Sequence, residues 1–262
     1  MPENPRGALR RTPVLAGNWK MNKGPLATRS FFDDFCARHG ARDDRSIWFF
    51  PPAIAVYTAV HALRQRPDID VGVQNIHWER AGAFTGETSA GMAAEAGARI
   101  VLVGHSERRH VFGETDEQAA RKVAAALAED LDVLVCVGET LEEREGGRLE
   151  QVLARQIDAA LGEARDAMLR FAVAYEPVWA IGTGVNATPA DAAAAHAFLR
   201  QRIARAANAT IAAEVPILYG GSVTPDNAAD LLAAADVDGL LVGGASLKPD
   251  AFAAIAATPG RG

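Results

Sequence analysis

Cysteine is nearly missing from this chain: Cys36 and Cys136 are the two in 262 residues. So few and so isolated, they cannot build a disulfide framework, and they suit a reducing, cytoplasmic setting. Lysine is almost as scarce, at Lys20, Lys23, Lys122 and Lys248. No apolar stretch is long enough to span a bilayer. The opening MPENPRGALRR lacks the hydrophobic run of a secretory leader, so residues 1–13 read as a flexible extension. There is no basic cluster, and the formal net charge of −6 argues against a nucleic-acid partner. Apolar residues, by contrast, make up 49% of the chain, enough for a sizeable core.

That apolar content is organised. Short runs recur at residues 14–16, 47–50, 71–73, 100–103, 133–137, 171–175, 217–219 and 240–242. Most show little polar alternation, as strands buried on both faces do. Between them lie segments of helical spacing, among them EQAARKVAAALAED, GGRLEQVLARQIDAALGEA and ADAAAAHAFLRQRIARAA. Thr188-Pro189 and Thr224-Pro225 each place a cap before a first-turn proline, predicting two helix starts. With no linker or shift of composition, residues 14–262 read as one α/β domain. Eight β-then-α units fit a doubly wound sheet or a closed (β/α)8 barrel. Acids, amides, a histidine and glycines follow the runs at one end only. A barrel gathers those ends at one mouth, so the barrel is expected.

Four residues at that mouth suit proton chemistry. Glu176 ends the run FAVAY, and the loop after it supplies Pro177 as a stiff hinge, Trp179 and Ile181 as apolar cover, and Gly182 and Gly184 for movement. A carboxylate at a strand end is ordinarily a surface group. Under such a lid it would be desolvated, with a raised pKa and greater basicity. His105 precedes SERRHVF, a short helix start, and burial with the helix's positive end predicts a neutral ring. Lys20 follows a strand in GNWKMN, suited to stabilising an oxyanion. Asn18, two residues earlier, shares its side of an extended backbone. GTG, YGGS and VGGAS suggest a phosphate site built from backbone donors. Gly182, Gly184 and Ala187 also match a dinucleotide fingerprint. It stands several residues beyond its strand, and the next strand ends in no acid to hold a ribose, so a nicotinamide cofactor is not expected. His110, five residues from His105, has the wrong spacing for a shared metal.

The blocks AGNWKMN, VQNIHWERAGAFTGETS, VLVGHSERR, CVGETLEERE, AYEPVWAIGTG, YGGSV and LVGGASL occur in this order over residues 14–247, and together they resemble the triosephosphate isomerase family. The resemblance implies a (β/α)8 barrel that interconverts glyceraldehyde 3-phosphate and dihydroxyacetone phosphate through an enediolate, in glycolysis and gluconeogenesis, without metal or organic cofactor. It implies Glu176 as base, neutral His105 as electrophile, and Asn18 and Lys20 as the substrate-binding pair. Gly182, Ser222, Gly243 and Gly244 fall on phosphate-contacting positions, and Glu107 on a supporting acid. A homodimer is implied through the loop of residues 82–87, GAFTGE, with Glu87 and Arg108 as a candidate pair across the interface. A related isomerase of a four-carbon phosphorylated ketose is the nearest alternative. Val185 departs from the family, which usually carries a basic residue there.

Overall fold

The computed structural model describes Leu9, residues 12–181 and residues 187–260. Eight parallel strands close on themselves in chain order. They are β1 (Val14–Asn18), β2 (Ser46–Phe50), β3 (Ile69–Val73), β4 (Ile100–Val103), β5 (Asp132–Val137), β6 (Phe171–Tyr175), β7 (Ile217–Tyr219) and β8 (Gly239–Val242). β1 pairs with both β2 and β8, with Val14 opposite Ser46 on one side and Gly239 on the other. The expected (β/α)8 barrel is therefore the fold.

The first half of the ring is covered by α1 (Pro25–Arg38), α2 (Val56–Ala62), α3 (Ala90–Glu95), α4 (Ser106–His110) and α5 (Asp116–Ala128). The second half carries α6 (Leu141–Glu145), α7 (Leu149–Ala164), α8 (Pro189–Ala206), α9 (Ala209–Glu214), α10 (Ala228–Ala233) and α11 (Pro249–Ala257). Strand alternation sorts the core into two shells. Val14, Ala16, Trp48, Phe50, Leu134 and Leu218 belong to one buried cluster, the filling of the barrel. Their strand neighbours Leu15, Ile47, Phe49 and Val135 pack in the other, between strands and helices. Both faces are buried, which is why the runs read as continuous apolar stretches.

The cap expected at Thr188 forms. Its hydroxyl accepts from Asp191 N–H while Asp191 reaches back to Thr188, a reciprocal box at the start of α8. The cap expected at Thr224-Pro225 does not form. Asn227 accepts the Thr224 N–H at 2.8 Å and donates to Ser222 O at 3.1 Å, so a turn takes residues 225–227 and α10 starts only at Ala228. The Thr224 carbonyl still accepts the Ala228 N–H at 3.1 Å, so the asparagine shapes the turn that leads into the helix.

At the opposite end of the barrel, Leu9 N–H donates to Leu169 O at 2.9 Å and its side chain packs on the filling cluster. Among the described residues, no helix is long and apolar enough to cross a membrane.

Candidate active site

Asn18, Lys20, His105, Glu176, Ser222, Gly243 and Gly244 line one cavity of about 330 Å³ beyond the carboxyl ends of the strands. Ligands of this fold bind at that face. Gly182 and Gly184, with Val185, lie outside the described residues.

Glu176 continues β6, its N–H donating to Val137 O at 2.8 Å. Two glycines make its position possible. A Cβ on Gly138 would fall 1.7 Å from Glu176 O, and one on Gly220 would fall 2.9 Å from Glu176 Cγ. The residue is 2% exposed and its carboxylate is ringed by donors. Ser106 N–H lies 2.9 Å from Oε2, Ser106 Oγ lies 3.3 Å from Oε1, and His105 Nε2 lies 3.1 Å from Oε1. Burial pushes this carboxyl up, but His105 and the Ser106 N–H outweigh it and hold its pKa below the ordinary value. The rise expected from desolvation is thus absent in this arrangement, because the donors favour the ion.

His105 caps α4. Its Nδ1 accepts the Glu107 N–H at 3.2 Å, so that nitrogen carries no proton and Nε2–H faces Glu176. Burial opposes a charge on the ring and the Glu176 carboxylate favours one, the carboxylate prevailing in the direction of the pKa. The Glu107 N–H opposes that charge, as burial does, because a protonated Nδ1 could not accept from it.

Lys20 sits at φ 51°, a left-handed backbone, with Nζ 2.7 Å from Glu107 Oε1. Asn18 Oδ1 accepts the Lys20 N–H at 3.0 Å, stabilising that turn. Gln74, to which the sequence reading gave no role, holds the same turn: its Nε2 donates to Lys20 O at 2.9 Å and Phe50 O at 2.8 Å. Trp19 Nε1 donates to Ser246 O at 3.1 Å, and its ring stacks on Phe32 and meets Phe31 and Phe49 edge-on. Gln74 was findable as an amide directly after a buried run. Ser106 was hidden, since its main contribution is a backbone N–H.

Glu139 was also missed. It is fully buried, accepting from Tyr175 Oη at 3.0 Å and Trp179 Nε1 at 2.7 Å, and burial raises its pKa. The Arg144 guanidinium lies 4.5 Å over the Trp179 ring and also bonds Asp191 of the α8 cap. The start of the segment after β6 is therefore held at Trp179 by two side chains, Glu139 and Arg144. Within the chain, Arg108 pairs with Glu114 at 2.7 Å. Among the described residues, the cavity offers one carboxylate, one imidazole and one ammonium around a space of small-molecule size, groups suited to proton transfer beside an anion.

A sequence profile of the family described as triosephosphate isomerase matches residues 13–258. The triosephosphate isomerase of Roseiflexus sp. (strain RS-1) is 49% identical over 243 residues, spanning 92% of this chain and 95% of that protein. That of Geobacter metallireducens is 46% identical over 246 residues, spanning 94% and 98%. That of Aquifex aeolicus is 44% identical over 242 residues, spanning 92% and 97%.

Proposed function

The chain belongs to the triosephosphate isomerase family, and from that membership we propose that it interconverts glyceraldehyde 3-phosphate and dihydroxyacetone phosphate with Glu176 as the base. The observation that carries this reading is the direct contact of Glu176 with His105 Nε2 in a cavity that also holds Lys20. The two substrates differ by one proton moved between adjacent carbons and one between their oxygens. Glu176 takes the carbon proton and returns it to the neighbouring carbon. His105, through Nε2–H, donates to the substrate oxygens, and Lys20 offsets the charge of the enediolate. Asn18 orients Lys20 and the substrate.

The hydrogen bonds at Glu176 divide its cycle into two states. Held by Ser106 and His105, the carboxylate is a weak base. Substrate entering between them draws the carboxylate off Ser106 and leaves Nε2–H for the substrate oxygen. Desolvation then acts on Glu176 with less opposition, and its basicity rises when it is needed. Ser222, Gly243, Gly244 and Gly182 take the phosphate, whose binding energy organises the site without reacting.

We further propose a homodimer. Met21, Val111 and Phe112 are exposed beside a notch of about 220 Å³ that includes Lys20 and Glu107. Residues 82–87 are exposed on a projecting loop carrying Phe84 and Thr85, suited to fill that notch on a second copy. Glu87 would there meet Arg108. The two free thiols, with Cys136 buried, suit a cytoplasmic enzyme. The test is a coupled isomerisation assay on glyceraldehyde 3-phosphate with no added cofactor or metal. Turnover is expected; none, from folded protein, overturns the reading.

A further inference from the structure

Lys122 is one of four lysines, lies on α5, and is 4% exposed. Burying an ammonium is costly, and an apolar side chain of the same length would fill the space without that penalty. What it touches accounts for the charge. Its Nζ donates to Asn75 Oδ1 at 2.7 Å and pairs with the Glu114 carboxylate, itself buried.

Each partner leads to a different arm of the site. Asn75 follows Gln74, whose amide holds Lys20 O at 2.9 Å and Asn18 Oδ1 at 3.3 Å. Glu114 accepts the Gly104 N–H at 3.2 Å and Arg108 Nε at 2.7 Å, and Gly104 immediately precedes His105. The same Gly104 unit is gripped from its other end, since its carbonyl accepts Arg109 Nε at 2.8 Å. Gly104 stands at φ 70°, where a Cβ would meet Arg109 Nη2 at 2.7 Å. The backbone entering His105 is therefore fixed by side chains, while the turn bearing Lys20 is fixed by Gln74. Lys122 is the group that joins the two.

We infer that Lys122 is a positioning residue for the isomerisation, a buried ammonium that sets the His105 arm against the Asn18–Lys20 arm by bonding Glu114 and Asn75 together. This rests on His105 and Lys20 being the reacting groups. Lys122 bonds Asn75 and Glu114, whereas the proposed phosphate corner of Ser222, Gly243 and Gly244 follows β7 and β8. Its loss should therefore disturb proton transfer and spare phosphate binding.

Lys122→Met removes the charge and keeps the stem, and Glu114 retains Arg108 as a partner, so the variant should fold. Its kcat is expected to fall by about 10- to 100-fold, the scale of an ångström-sized misplacement. KM, and the affinity for inorganic phosphate, should stay within about twofold. The imidazole ¹⁵N resonances of His105 should shift, and Lys122→Arg should recover most of the lost kcat. If Lys122→Met does not fold, Asn75→Leu breaks one of the two links and should give the same split and the same resonance shift. Unchanged kcat, or a loss of activity that follows the folded fraction with the His105 resonances in place, overturns the role of Lys122. The resonances report on position whether or not the chain turns over substrate. A wild-type protein inactive on triose phosphates overturns the proposed function instead.

Discussion

Glu176 is surrounded by hydrogen-bond donors and by two glycines that leave it room, an environment that favours the ion. Glu176→Gln keeps the shape and can still accept from Ser106, but it cannot take a carbon proton. A loss of at least about 100-fold in kcat is expected, with circular dichroism unchanged, as general-base removal should give. A variant that keeps a tenth of the wild-type kcat would show that another group is the base. His196 on α8 poses a different problem of charge. It is fully buried, its Nδ1 bonds Asp236 O at 3.0 Å, and burial holds its pKa down at about 4 despite Asp236 and Asp238 nearby, with Arg200 adding to the depression. An unfolded chain protonates this ring near pH 6.5, so the unfolded state binds the extra proton between pH 6.5 and 4. Stability from His196 is thus complete above pH 6.5 and is lost as the pH falls toward 4, by up to roughly 3 kcal/mol. Urea titrations from pH 7 to pH 4.5 should show a shallower loss for His196→Gln than for wild type; parallel curves would remove His196 from the acid response.

Among the elements, the segment after β6 is tied down at its start by polar side chains above the barrel. Trp179 reaches Glu139 and lies under Arg144, and Ile181 lines the cavity. An enediolate beside a phosphate can also expel it, giving methylglyoxal, and a cover that excludes water and orients the phosphate suppresses that path. Deleting residues 178–182 and closing the gap with a short turn should slow isomerisation and raise the ratio of phosphate released to product formed. Slowed isomerisation with an unchanged ratio would mean that the segment does not guard the intermediate. The strands themselves were legible because their centres are apolar on both faces. Their ends were not: Asp70 and Asp132 belong to β3 and β5, where Arg99 and Arg170 pair with them at 3.0 and 3.1 Å. Polarity there reads as loop until the partners are known. The residues facing the cavity could be read from their places after strands, whereas Glu114 and Lys122 could not. Their partners lie up to 47 positions away, and only the folded register brings them together.

For the whole molecule, the exposed Met21, Val111 and Phe112 leave an apolar rim around the Lys20 side of the site. In a homodimer, the loop of residues 82–87 would cover that rim and fix the arm it borders. Thr85→Trp combined with Glu87→Lys should therefore lower mass and activity together, read by analytical ultracentrifugation and steady-state assay. A fully active monomer would refute the coupling. The ring closure between β1 and β8 has a consequence of another kind. Gly260 abuts Pro13, so close that a Cβ there would fall 2.2 Å from Pro13 Cγ, and both lie at the end of the barrel away from the cavity. Every strand has two neighbours, and none is marked as first by its pairing. The strand that comes first in the chain is then a matter of connectivity more than of architecture. A circularly permuted gene, joined near that contact and opened at another loop on the same end, would spell the same ring in a different order.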